Sequence, residues 1–337
     1  MEKPKVSVVI PCRNEEKYIS HCVEGFLKQD YPDFELLFVD GMSNDKTISI
    51  LEEYKKRDKR ITIIPNPEKV TPNAFNYGIK AATGDIITIF SAHSFPEADY
   101  ITAGVNALLS NPVDCAGGNM KAEAQNYTGQ AISAATSHFF GVGNSRFHYY
   151  TKKCEVDTVY QGFYRREVFE KIGLFDEMLI RDQDDEFNYR LKSAGGKILL
   201  DPEIRSVYHS RAGIKKLFRQ YYQYGLYKVL VVRKHPGQVR LRHFIPAIFV
   251  LGLFLSIFSI ILGLYRNTSM FFIPSILPAF YFLFNGIFSI VLGFKKGFRL
   301  VFILPLIFFT LHFAYGMGFI IGWFVFGFRK IQREAAV

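Results

Sequence analysis

The chain has 337 residues, 49% of them hydrophobic, and a formal net charge of +10, room for roughly two domains on the usual size relation. Its charge is unevenly placed: acidic residues stop at Glu203 and none follows between Ile204 and Arg333. A basic half suits nucleic acid or an anionic membrane surface, but no nucleic-acid motif accompanies it and long apolar runs do, which sets nucleic acid aside in favour of the membrane.

The start, Met1-Glu2-Lys3-Pro4-Lys5, leads into an apolar strand without a signal core, so the first half is expected to stay cytoplasmic. Strand and helix patterns then alternate: strand 5–10, helix 16–29, strand 34–40, helix 45–57, strand 61–65, helix 72–82, strand 85–91, helix 96–109. This is the rhythm of a parallel sheet with right-handed crossovers. After Cys115 the pattern loosens, and the Gly-, Ser- and aromatic-rich stretch 117–150 is expected to be a loop region or an acceptor-side surface. Cys12, Cys22, Cys115 and Cys154 lack metal-ligand spacing and read as free thiols.

Two apolar strands end in polar clusters, Pro11-Cys12-Arg13-Asn14-Glu15 and Asp40-Gly41-Met42-Ser43-Asn44-Asp45. Ligands of open α/β sheets sit outside the carboxyl ends of the strands, so carboxylates arriving there together are placed to meet one. Helix capping is the alternative for Ser43 and Asp45. A second acidic group opens a helix at Asp182-Gln183-Asp184-Asp185-Glu186, with Phe187, Leu191 and Ala194 at apolar spacing. The helix dipole favours carboxylates in a first turn, yet three Asp and one Glu in five positions exceed what capping needs. Crowded carboxylates raise one another's pKa, which suits a general base.

Beyond Gly213, apolar Ile214, Leu217, Phe218, Tyr221 and Leu226 recur at helical spacing with Lys215, Lys216 and Arg219 between them. The region 213–243 therefore reads as a basic interfacial helix, an ordinary core-packing helix being the alternative. Residues 244–264, 271–293 and 300–327 are each long and apolar enough to span a bilayer, which takes about 20 residues. His312 and Asn285 inside them are expected to make helix-to-helix hydrogen bonds. Arg233, Lys234, Arg240, Arg242, Lys295, Lys296 and Arg299 fall on one side if each segment crosses once, and that side is the cytoplasm. Arg329, Lys330 and Arg333 would then lie outside, so the last segment, interrupted by Pro305 and Gly316-Met317-Gly318, has a hairpin or re-entrant alternative.

Together these residues resemble the family 2 inverting glycosyltransferases with the GT-A fold, specifically the bacterial membrane-attached exopolysaccharide glucosyltransferases of succinoglycan type. The resemblance implies a Rossmann-like α/β domain with a mostly parallel sheet over 1–212, the interface helix region 213–243, and a transmembrane region over 244–337. It assigns Pro11, Asn14, Glu15, Asp40, Ser43 and Asp45 to the nucleotide base and ribose, and Asn76, Gly84 and Asp85 to the same wall. The family's Asp-x-Asp position reads Ser91-Ala92-His93, with His93, joined by His209, as the implied ligand of Mn²⁺ or Mg²⁺. Asp184 aligns with the catalytic base, Asp185 competing, while Gln183, Glu186, Arg219 and Gln220 fall to the diphosphate or acceptor.

The implied reaction is transfer of a sugar from a UDP-sugar, glucose by family expectation, to a polyprenyl-diphosphate-linked glycan at the cytoplasmic face of the plasma membrane, held by a multi-pass tail in contact with lipid. A polyprenyl-phosphate sugar synthase is the alternative enzyme. A non-catalytic nucleotide-sugar-binding scaffold is the alternative of another class, motivated by Ser91 and Gln183 standing where the family has acids.

Overall fold

The run Val6-Ser7-Val8-Val9-Ile10 is buried on both faces, as a central parallel strand requires. In the computed structural model, which describes residues 3–123, 126–143, 146–209, 213–266, 268 and 273–327, that run lies in β1 (Val6–Cys12). The elements that follow are α1 (Ile19–Leu27), β2 (Phe34–Asp40), α2 (Thr47–Arg57), β3 (Ile61–Pro65), α3 (Thr71–Ala81), β4 (Ile86–Ile89), β5 (Ser94–Pro96), α4 (Tyr100–Leu109), β6 (Cys115–Glu123), α5 (Tyr127–Thr136) and α6 (Phe139–Val142). Then come β7 (Cys154–Glu155), β8 (Tyr160–Arg165), α7 (Arg166–Ile172), α8 (Gln183–Ser193), β9 (Ile198–His209), α9 (Ile214–Lys234), α10 (Ile245–Arg266), α11 (Ile276–Lys296) and α12 (Leu304–Phe326). The chain divides into two units: Met1–Ala122 with Ser145–His209, and Glu123–Asn144 with Ser210–Val337.

The first unit holds one sheet in the order β3-β2-β1-β4-β8-β6-β9-β5, with β7 on β9. The strands β3, β2, β1 and β4 are mutually parallel, so the eight alternating elements expected from sequence form in that order. The remaining pairs, β4 with β8, β6 with β8, β5 with β9 and β7 with β9, are antiparallel. Successive side chains of a strand point to opposite faces. Val6, Val8 and Ile10 accordingly pack with Ile19, Val23, Phe26 and Leu51 on one face, and Val9, Leu37 and Val39 with Phe75, Ile79 and Phe187 on the other. Helix α3 lies so close to the sheet that a Cβ at Gly78 would collide with Val9.

The partly buried carboxylate of Glu35 interrupts the apolar run of β2. Its Oε1 accepts from Ser7 Oγ at 2.6 Å, Thr83 N at 2.7 Å and Thr83 Oγ1 at 2.9 Å, and Lys5 Nζ is 3.8 Å from Oε2. Burial alone would raise this carboxyl, but the hydrogen bonds from Ser7 and Thr83, with Lys5, outweigh it and hold the pKa below its ordinary value. A carboxylate depressed in the folded state stabilises fully above its unfolded pKa, about 4.3, and that contribution is lost as pH falls through the lower folded value. Glu35→Gln is therefore expected to flatten the acid limb of a thermal-denaturation series on the detergent-purified chain, and an unchanged limb would contradict this account.

In the second unit α9 lies along α12. A Cβ at Gly318 would collide with the Tyr222 carbonyl and one at Gly225 with the Tyr315 carbonyl, so these small residues permit the close approach. Val229, Leu230, Val231 and Val232 of α9 are buried, whereas Lys215, Lys216, Phe218 and Arg219 of its first turns are exposed. Helices α10 and α12, and 273–296 with α11, are long and apolar enough to cross a membrane. Helix α12 is continuous through Gly316 and Gly318.

The stretch 117–150 departs from the loop expected of it. It supplies β6, α5 and α6, and residues 123–144 belong to the second unit. Ala131, Ala134 and Ala135 are buried with Leu217, Leu292, Leu300, Leu304, Ile307, Phe308 and Leu311; a helix of such small residues acquires an apolar surface to pack on from elements distant in sequence. Tyr127 Oη donates to the Arg299 carbonyl at 2.5 Å. His312 Nε2 donates to the Phe140 carbonyl at 2.7 Å, so its Nδ1 accepts from Tyr281 Oη at 2.9 Å. Asn285 Nδ2 donates to the Pro305 carbonyl at 3.0 Å, tying α11 to α12.

Candidate active site

Because β1, β2, β3 and β4 run parallel, the segments that follow them emerge on one edge of the sheet: Arg13–Glu15, Gly41–Asp45, Asn66 and Ser91–His93. Asp40 ends β2 buried. Its Oδ2 accepts from Ser43 N at 2.9 Å and its Oδ1 from Ser43 Oγ at 2.5 Å. Ser43 Oγ in turn accepts from Asn14 N at 2.9 Å, and Asn14 Oδ1 accepts from Asn44 N at 2.9 Å. The loops after β1 and β2 are thereby latched by residues from both predicted motifs. Pro11 lies in register with Val39 just below this latch.

Asp45 closes the second loop, accepting from Thr47 N at 2.9 Å, Thr47 Oγ1 at 2.6 Å and Glu16 N at 3.1 Å. Its slight burial would raise its carboxyl, but the hydrogen bonds from Thr47 and Glu16 outweigh that and lower the pKa. Asn66, which sequence reasoning missed, is buried at the end of β3 and donates its N–H to the Asp40 carbonyl at 2.7 Å. The signal available was a polar residue between Pro65 and Pro67 at a strand end.

Three of the five non-glycine residues with left-handed φ among the described residues lie in the loops after β1, β2 and β3: Asn14 at 55°, Met42 at 55° and Lys69 at 63°; Gln161 at 49° is in β8 and Asp182 at 60° caps α8. Such backbone costs of order 1–3 kcal/mol per residue and clusters where binding or catalysis over-determines it. After β4, Ser91 Oγ lies 3.1 and 3.2 Å from the two ring nitrogens of His93, Ala92 is buried, and His93 Nδ1 lies 3.5 Å from Glu15 Oε1.

Several predicted site residues lie elsewhere. Gly84 and Asp85 precede β4 and sit on the amino edge: Gly84 N donates to Ser7 Oγ at 2.8 Å, and Asp85 Oδ2 accepts from Lys5 N at 2.9 Å. Asn76 is buried in α3 and clasps the segment before α8, donating to the Phe175 carbonyl and to Glu177 Oε1, both at 2.9 Å, and accepting from Phe175 N at 3.0 Å. Glu186 is buried in a two-bonded pair with Arg190, Nε to Oε1 at 2.9 Å and Nη2 to Oε2 at 3.1 Å. These contacts hold the fold together and occupy the side chains. His209 ends β9, and its side chain lies outside the described residues. Arg219, exposed, and Gln220, which donates to Tyr224 Oη at 2.8 Å, stand on α9 in the second unit.

A profile of glycosyl transferase family 2 matches residues 7–173. The chain is also 34% identical over 239 residues, 68% of its own length and 74% of the relative's, to a Methanococcus voltae protein named dolichyl N-acetyl-alpha-D-glucosaminyl phosphate 3-beta-D-2,3-diacetamido-2,3-dideoxy-beta-D-glucuronosyltransferase. The chain belongs to glycosyltransferase family 2. Another family relative, succinoglycan biosynthesis protein ExoA of Rhizobium meliloti, is 27% identical over 242 residues, 71% of this chain and 73% of that one. The fold is that of the Pyrobaculum calidifontis mannosyltransferase PcManGT, solved with GDP-Man and Mn²⁺, at TM-score 0.61 and 17% identity over 98% of this chain and 89% of that one.

In this family 2 glycosyltransferase, α8 carries the acidic group. Phe187 stacks on Phe175 with ring centroids 4.3 Å apart, and Asn188 Oδ1 accepts from Tyr164 Oη of β8 at 3.0 Å. Those contacts fix the helix start. Gln183 and Glu186 turn inward, Asp185 is half-buried and Asp184 is exposed. Burial pushes the Tyr164 phenol well up, and the nearby Asp184 carboxylate adds to that.

Among the described residues no group of three or more His, Cys, Asp and Glu converges to cage a cation. Magnesium in nucleotide sites is commonly held by only one or two carboxylates, with substrate phosphates completing its shell; a site with few protein ligands can rely on the substrate in the same way. One imidazole, His93, beside the Ser91 hydroxyl fits that mode, and the nitrogen favours manganese over magnesium.

Proposed function

We propose that the protein moves a sugar from a nucleoside-diphosphate donor, UDP-glucose being the first candidate, to a hydroxyl of a polyprenyl-linked saccharide at the cytoplasmic face of the plasma membrane. The observation that carries this reading is the latch of Asn14, Ser43 and Asp40, which supports a nucleotide-sized polar edge next to His93. The printed name of the Methanococcus relative supports a lipid-linked sugar as acceptor, and the three apolar helices support a membrane setting.

In this reading Asp40 and the loops after β1, β2 and β3 hold the base and ribose, and His93 with Ser91 faces the diphosphate. Asp184 accepts the proton of the acceptor hydroxyl as that oxygen attacks the anomeric carbon, a general-base contribution of about 10²- to 10⁴-fold. When bound, a divalent cation would neutralise charge growing on the leaving diphosphate. One displacement inverts the anomeric configuration, so an α-linked donor gives a β-linkage.

Mild acid separates this reaction from a polyprenyl-phosphate sugar synthase. With radiolabelled donor and a membrane-lipid extract, acid treatment of the lipid product is expected to release label within a larger saccharide. Release of free labelled monosaccharide would assign the synthase reaction instead.

A further inference from the structure

The sequence motifs give Glu15 to the ribose and His93 to a metal, but the structure brings the two side chains together. Glu15 is 7% exposed, and its Oε1 lies 3.5 Å from His93 Nδ1. Its backbone is anchored where it stands: Glu15 N donates to Thr47 Oγ1 at 2.8 Å, and Thr47 is itself held by Asp45. On another flank the Tyr208 ring meets the imidazole edge-on, centroids 5.0 Å apart. Ser91 Oγ stands nearly equidistant from both ring nitrogens, at 3.1 and 3.2 Å, and so selects neither.

We infer that Glu15 is a positioning residue: its carboxylate takes the Nδ1–H of His93 and leaves Nε2 as the ring's donor to the nucleotide-bound cation. Histidines that ligate metals commonly give their other N–H to a carboxylate, which fixes tautomer and ring orientation and raises ligand basicity. The device matters more here than in an acidic cage, because among the described residues no three potential ligands converge and a single imidazole must be presented correctly. The inference rests on the cation in the function proposed above.

The test uses the full-length chain in detergent with UDP and Mn²⁺ as probes. Histidine ¹⁵N spectra recorded without manganese report the His93 tautomer, and paramagnetic resonance reports Mn²⁺ affinity in the presence of UDP. Wild type is expected to carry the proton on Nδ1. Glu15→Gln is expected to shift the tautomer and weaken Mn²⁺ binding by about 10- to 100-fold, a loss much larger than any change in UDP affinity measured in chelator. His93→Ala should lose as much, and the double variant no more than either, since the two act through one interaction.

Manganese binding that survives Glu15→Gln, losses that add in the double variant, or a wild-type Nε2–H tautomer would each overturn the positioning role while leaving the cation in place. A fall in chelator-phase UDP affinity equal to the manganese loss would reduce Glu15 to a structural part of the loop and overturn it likewise. Absence of Mn²⁺ binding in wild type would instead remove the cation itself, and the inference with it.

Discussion

Asp184→Asn is expected to lower kcat about 10²- to 10⁴-fold while leaving UDP-sugar affinity intact. Asparagine keeps the size and one acceptor oxygen but cannot take the acceptor proton. Asp184 is exposed in the first turn of α8, where Gln183, Glu186, Phe187 and Asn188 face inward and anchor the helix start, so the substitution is expected to leave the fold in place. Its neighbour Asp185, half-buried in the same turn, is the competing base. Initial rates of nucleoside-diphosphate formation beside calorimetric donor binding decide between them. Near-normal turnover in Asp184→Asn with collapse in Asp185→Asn would move the role by one residue.

Glu186→Gln is expected to act on stability instead, costing about 3–5 kcal/mol as half of a buried ion pair. Glu186 is 1% exposed, and Arg190, with 14% of its side chain exposed, also donates to the carbonyls of Ile172 and Leu174. The pair thus fastens α8 to the end of α7, and the guanidinium lies 5.1 Å from the Phe187 ring centroid. Neutralising the carboxylate leaves the arginine with carbonyls alone. Thermal denaturation should show a large drop, with kcat per folded molecule little changed. A variant of normal stability and low kcat would return Glu186 to the acceptor site that its motif suggests.

How much of this was legible in the sequence depends on how local each signal is. The eight elements of the parallel half announce themselves through runs such as Val6–Ile10 and the i, i+3, i+4 spacing of Ile19, Cys22 and Val23. A strand's own pattern also says where its carboxyl end lies, so Asn14, Asp40 and Ser43 could be placed together. Gly84 and Asp85 fail by the same geometry: they come before β4, and so stand on the opposite edge. Helices α5 and α6 were invisible because Ala131 and Ala135 are buried in a cluster with Leu304, Ile307, Phe308 and Leu311 of α12, about half the chain away in sequence. The Glu15–His93 pairing was equally hidden, since each residue carries a separate motif and only the adjacency of β1 and β4 joins them.

The central claim is tested most directly by nucleoside-diphosphate release from a panel of nucleotide-sugars, using detergent-purified protein with a membrane-lipid extract and Mn²⁺. The account predicts that one donor turns over, that release requires the lipid extract, and that Asp184→Asn slows it by about 10²- to 10⁴-fold. Donor binding without turnover of any member, in the presence of the extract, would contradict the transferase mechanism and favour a nucleotide-sugar-binding scaffold.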